Sequence, residues 1–229
     1  MPDRWILTPH YFEQPEPALS AAVLPEARVV NGPHPIADRG RESMARLHAP
    51  IARFAQEATS AGERPVSIAG DCCAAVPVLA GLRAAGVEPH LIWIDAHGDF
   101  NTPETSPSQF LGGMPLAMIA GRGPRWMSEA VGLAPLPEDR IWLIDGRDLD
   151  PLERAALDAS AVRRTGIAGL GSLRLDGPVL VHIDMDVLDS DTVPAFQYPV
   201  VGGPSVAAVS RACREFAGAN RIAGISVCG

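Results

Sequence analysis

The sequence predicts an α/β protein, with a mostly parallel sheet and helices on both of its faces. Short strands that are apolar on both faces alternate with helical segments along the chain, the pattern expected of strands buried on both sides. Three of these strands also end in polar clusters, "GDCC", "DAHGD" and "DMDVLD". In parallel α/β folds, ligands bind beyond the carboxyl ends of the strands.

Taken in order, "RWILT" (Arg4–Thr8) and "RVV" (Arg28–Val30) read as strands. Met44, Leu47, Ile51, Phe54 and Ala58 recur at spacings of three and four, which predicts a helix over 41–58. "GERP" stops it ahead of the strand "VSIAG" (Val66–Gly70). The segment "CAAVPVLAGLRAAG" is Ala-rich and closes on Gly86, a helix with its C-terminal stop. "HLIWID", "IWLID" (Ile141–Asp145), "VLVHID" (Val179–Asp184) and "IAGISV" (Ile222–Val227) are further apolar strands. Helical segments fall between them, around 151–159 and 205–217. Without an internal repeat, a low-complexity tract or a linker, residues 1–229 read as one domain.

Composition narrows the function. With 47% hydrophobic and 20% charged residues, the 229-residue chain can build one large core and does not resemble a disordered segment. A net charge of -8 with no basic cluster argues against nucleic acid or a membrane surface as partner. No run of eighteen apolar residues is present, so no membrane span is expected. "MPDRWILTPH" lacks the apolar region of a signal peptide, which makes the cytoplasm the expected location. Cys72, Cys73, Cys213 and Cys228 are too few and too unevenly spaced for a disulfide framework or a zinc knuckle, and read as reduced thiols. His10, His34, His48, His90 and His182 have no partner at ligand spacing and read as structural or solvated.

The strand ends carry the chemistry. In Asp95-x-His97-x-Asp99, alternate residues of an extended backbone face one side, so the three side chains can converge. Asp184 and Asp186 repeat the spacing at the end of another apolar strand. Carboxylates with a neutral imidazole suit a divalent first-row metal. The plainer reading, aspartates capping the next helix, leaves four carboxylates to repel one another. Asp-Met-Asp alone would also fit a transferase that holds a metal–diphosphate, but that reading leaves Asp95, His97 and Asp99 unexplained.

"IDAHGDFNTPETSPS" and "HIDMDVLDSDTVPA" resemble the two aspartate-rich motifs of the ureohydrolase (arginase/agmatinase) family, and "IAGDCCAAVPVLAGL" resembles its first motif in degraded form. The resemblance runs from about residue 66 to residue 227 and implies an arginase-like three-layer αβα fold. It also implies two divalent metal ions, Mn by family habit, that hold a hydroxide for attack on a linear guanidine or amidine. Asp95 and Asp184 would bridge the metals, His97 and Asp186 would complete one site, and Asp99 with Cys72 the other. Cys72 stands where the family has histidine, and its thiolate opens the choice to Zn or Fe. Asp71 and Asp189 would orient ligands from behind, and Asp99 would also carry protons. Asn101 and Ser108 would hold a substrate carboxylate. A homo-oligomer is the family's usual assembly.

Two departures from the family pattern bear on substrate. Phe110 replaces a loop asparagine, and Gly112 replaces the histidine that shuttles protons in arginases. Together with Cys72, these are similar to the hydroxyarginine amidinohydrolase branch. The chain also stops at Gly229, where family members continue with an acidic residue and a terminal helix, so a truncated chain or a shortened member is expected. A degenerate member that binds one metal or none, and serves as a non-catalytic binding or assembly protein, is the alternative.

Overall fold

A computed structural model describes residues 1–23, 28–32, 34, 38–193 and 197–229. Eight strands form one sheet: β1 (Asp3–Thr8), β2 (Arg28–Val30), β3 (Arg64–Ala69), β4 (His90–Asp95), β5 (Ile141–Asp145), β6 (Arg163–Thr165), β7 (Pro178–Asp184) and β8 (Arg221–Cys228). Their order across the sheet is β2-β1-β3-β8-β7-β4-β5-β6, and every pairing is parallel. The longer helices are α1 (Arg41–Ser60), α2 (Ala75–Ala84), α5 (Pro151–Asp158) and α7 (Val206–Ala219); α3 (Pro115–Ala120), α4 (Trp126–Ala130) and α6 (Ile167–Leu170) are short. No helix among the described residues is long and apolar enough to cross a membrane.

Alternation along the strands splits the core into two layers. Leu91 and Trp93 of β4, Leu143 of β5 and Leu180 of β7 pack with Ile51 and Phe54 of α1 and Leu79 and Leu82 of α2. On the other face, Ile92, Ile94, Ile144 and Val181 pack with Leu170 of α6 and Val209 and Phe216 of α7. Each layer removes large aliphatic side chains from water, worth about 1.5–3 kcal/mol per fully buried side chain. The expected three-layer αβα architecture is therefore present, with helices on both faces of the sheet.

The centre of the sheet positions the site. β4 and β8 flank β7, with Trp93 beside His182, Ser226 beside His182, and Cys228 beside Asp184. Because side chains two residues apart share a face, Trp93 and Asp95, His182 and Asp184, and Ser226 and Cys228 form two successive rows. The outer row ends at the carboxyl edge of the sheet.

Candidate metal centre

Three segments meet above that edge. After β3, Asp71 caps the turn Cys72–Ala74: its carboxylate accepts from Cys73 N at 3.0 Å and from Phe12 N at 3.1 Å. The turn brings the buried Cys72 thiol within 2.8 Å of Asp184 Oδ2. After β4, His97 N donates to Asp95 Oδ1 at 2.7 Å, and Trp93 Nε1 donates to Asp95 Oδ2 at 3.0 Å. After β7, Asp186 N donates to Asp184 Oδ1 at 2.9 Å. His97 Nδ1 lies 3.0 Å from Asp186 Oδ2 and 3.4 Å from Asp95 Oδ1.

Ligand atoms of Cys72, Asp95 and Asp99 lie within 4.8 Å of one another, and so do those of Asp95, His97 and Asp186. Asp95 belongs to both groups. Asp95, Asp99 and Asp186 are buried, and so is Asp184, which belongs to neither group. Asp99 Oδ2 is buried without a hydrogen-bond partner, an acceptor that a cation would satisfy. Burial, with repulsion from Asp95 and Asp186, pushes Asp184 up to about 8. Burial pushes Asp95 up to about 6, and pushes Asp99, with repulsion from Asp95, well above the usual carboxylate range. Burial acts against the charged form of His97, but hydrogen bonds to Asp186 and Asp95 outweigh it and raise the imidazole to about 11. So many acidic groups drawn together in a low dielectric call for positive charge. Oxygen donors with one imidazole and one thiol fit divalent first-row metals. The residues present fit the metal pair that the family motifs imply.

A cavity of roughly 880 Å³ opens over this cluster, and Asp71, Asn101 and Ser108 belong to its wall. Asp148, Asp150 and Glu153 make part of that wall acidic. Glu153 accepts from Phe100 N at 2.8 Å and from Asp150 N at 3.3 Å, tying the loop after β4 to the start of α5. Gly98 lets this carboxylate approach, since a Cβ there would lie 2.6 Å from Glu153. The Asn101 amide is held inside the protein: it donates to Asp150 Oδ2 at 3.0 Å and accepts from Thr105 Oγ1 at 2.9 Å. Ser108 Oγ accepts from Phe110 N at 3.2 Å. A Cβ at Gly112 would collide with the Phe110 ring, so Phe110 occupies the space that a side chain at Gly112 would need. That ring also packs edge-on against Phe12 at 5.6 Å and tilted against Tyr198 at 5.0 Å.

Among the described residues, Asp189 makes no hydrogen bond to the candidate ligands. Its Oδ1 accepts from Gly202 N at 3.0 Å, closing the loop that follows β7. The sequence did not single out Arg147, which donates to Asp145 Oδ2 at 2.7 Å, to Val187 O at 3.1 Å and to Val200 O at 2.9 Å, fixing the segment that carries Asp186. Nor did it single out Glu153 and the acidic wall, whose spacing from the motifs gives no local signal. His182, read from the sequence as structural, lies fully buried beside Cys72 and Cys228.

Fold and site together define a three-layer α/β protein with a candidate divalent-metal centre at the carboxyl edge of a parallel sheet. Comparison with known proteins narrows that class. The Arginase family model matches residues 25–228, and the chain belongs to that family. The N(omega)-hydroxy-L-arginine amidinohydrolase of Streptomyces lavendulae is 30% identical over 235 residues, which cover 98% of this chain and 77% of that protein. The arginase of Bacillus subtilis is 35% identical over 155 residues, 62% of this chain and 52% of that enzyme. The chain thus spans about half the length of that arginase. Among solved structures, arginase from Bacillus caldovelox superposes with a TM-score of 0.84 at 26% identity, covering 99% of this chain and 90% of that one. Arginase from Bacillus subtilis gives 0.85 at 27% identity, covering 100% and 90%.

Proposed function

We propose that the protein is a metal-dependent hydrolase that cleaves a C–N bond of a linear guanidino or amidino compound, with an N-hydroxyguanidine of the hydroxyarginine type as the favoured substrate. The observation that carries this reading is the pair of three-donor groups sharing Asp95 beneath an open cavity. Asp95 and Asp184 would bridge two divalent cations, Mn or, with Cys72 as a ligand, Zn or Fe. Asp99 and Cys72 would complete one site, and His97 and Asp186 the other. A bound pair of such cations supplies Lewis acidity and an acidified water.

The chain's own groups do the rest. Asp99, with one carboxylate oxygen given to the ligand group, uses the other to take the proton of the attacking water and deliver it to the leaving nitrogen. Asp148, Asp150 and Glu153 offer negative charge to a cationic or polar substrate. Asn101 and Ser108 line the same cavity, where they would meet a substrate carboxylate. Phe110 fills the space beside Gly112, so a loop histidine has no room there. An N-hydroxyguanidine favours such a site, because it is less basic than a guanidine and more of it is neutral at pH 7. The likeness to an amidinohydrolase over nearly the whole chain supports the same substrate class.

The test is product release by the purified, Mn-loaded protein from arginine, agmatine, guanidinobutyrate and hydroxyarginine. Hydroxyurea from hydroxyarginine, in excess over urea from arginine, is the expected result. Release of neither urea nor hydroxyurea from any of the four removes the proposed substrate class.

A further inference from the structure

A second group of side chains that could hold a metal reaches one row deeper into the sheet, to His182. Cys72, His182 and Cys228 are all buried, with their ligand atoms within 4.8 Å of one another. Cys228 Sγ stands 3.5 Å from Cys72 Sγ and 3.7 Å from His182 Nε2. Asp184 Oδ2 approaches both sulfurs, at 2.8 Å from Cys72 and 3.2 Å from Cys228. The other ring nitrogen of His182, Nδ1, is held by Ser226 Oγ at 3.1 Å, while the ring stacks on Trp93 with centroids 3.9 Å apart.

Two of these distances match edges of a coordination tetrahedron, while Asp184 Oδ2, 2.8 Å from Cys72 Sγ, would move outward on binding. With Zn–S near 2.3 Å and Zn–N near 2.0–2.1 Å, tetrahedral geometry requires about 3.8 Å between sulfurs and about 3.6 Å between sulfur and nitrogen. The observed 3.5 and 3.7 Å need only a few tenths of an ångström of adjustment. A ligating imidazole is usually oriented by a hydrogen bond at its second nitrogen, and Ser226 already makes that bond. Cys72 and Asp184 also line the cavity, which gives an ion a route inward.

We propose that Cys72, Cys228 and His182, with Asp184 as the fourth donor, form a zinc site distinct from the carboxylate-rich pair of sites above it. Two thiolates and an imidazole select zinc over manganese, because thiolates are soft donors and manganese favours carboxylate oxygen. On binding, the two thiol protons that now face Asp184 leave to solvent and two sulfur–zinc bonds take their place. Cys72 and Asp184 are shared with the upper cluster. Zinc held here therefore withdraws both from the proposed binuclear centre.

The test is zinc binding to the chelator-treated, reduced wild-type chain, read without any turnover. At one equivalent of zinc, X-ray absorption at the zinc edge should show two sulfurs and at least one imidazole nitrogen. One sulfur or none overturns the site. Cobalt substitution gives a second readout: Cys228→Ala should about halve the thiolate-to-cobalt charge-transfer absorption, and Cys213→Ala should leave it unchanged. Cys228→Ala with wild-type absorption and wild-type zinc affinity also overturns it. Neither readout depends on guanidine hydrolysis, so the zinc site and the proposed reaction fail or stand separately.

Discussion

At the scale of single residues, the Gly112–Phe110 pair separates this site from one with a loop histidine. A side chain at Gly112 would enter the volume of the Phe110 ring, which is braced by Phe12 and Tyr198. Gly112→His alone should therefore cost about 1–3 kcal/mol through overpacking. The double variant Phe110→Asn/Gly112→His should recover most of that loss, measured by urea unfolding. A single variant as stable as wild type would refute the packing argument. His48 carries a different prediction. It is fully buried, its Nε2 has no partner, and burial pushes its pKa down to about 4. The unfolded chain takes up that proton near pH 6.5, so it binds more protons than the native state between about pH 6.5 and 4. The contribution is complete above the unfolded value and is lost as pH falls across that window, on the order of 3 kcal/mol in all. Raised carboxylates such as Asp95 act in the opposite direction, so the informative quantity is the stability difference between wild type and His48→Leu. That difference should shift against wild type as pH falls from 6.5 to 4, and a pH-independent difference would contradict it.

At the scale of elements, the candidate metal-binding strand ends were legible because their spacing is local. Asp95, His97 and Asp99, and Asp184 and Asp186, stand two residues apart in the sequence. But β4 ends at Asp95, Asp99 takes a φ of 49° and Asp186 lies in a 3-10 turn, so turns rather than strand alternation bring them together. The helix read over 41–58 runs two residues further, to Ser60, and the central strands fall where their apolar runs lie. The short edge strand β6, "RRT", carries two exposed arginines and no apolar signal, so it was not foreseen. Cross-strand neighbours were equally hidden. Cys228 meets Asp184 only through the register of β8 on β7, and Cys72 lies 156 residues from Cys228. Glu153 is a further case, since its role depends on α5 meeting the loop after β4. Its carboxylate satisfies Phe100 N and Asp150 N. Glu153→Ala should cost about 1–3 kcal/mol, chiefly for the buried Phe100 N left unpaired. It should also raise the amide exchange rate at Phe100. Unchanged stability together with unchanged exchange would show that the tie is not structural.

At the scale of the whole molecule, the fold class was read from the alternation of apolar strands and helices, and the family from the aspartate motifs at the strand ends. The family match covers residues 25–228, and β4 and β7, the strands that carry the aspartate motifs, are neighbours at the centre of the sheet. The central claim is that the ends of these two strands form one binuclear centre, with Asp95 and Asp184 as its bridge. Metal content per chain after equilibrium dialysis against manganese, in wild type and in Asp95→Ala, tests it most directly. The account predicts two manganese ions per wild-type chain and the loss of both in Asp95→Ala. An Asp95→Ala variant that retains the wild-type metal content would contradict it.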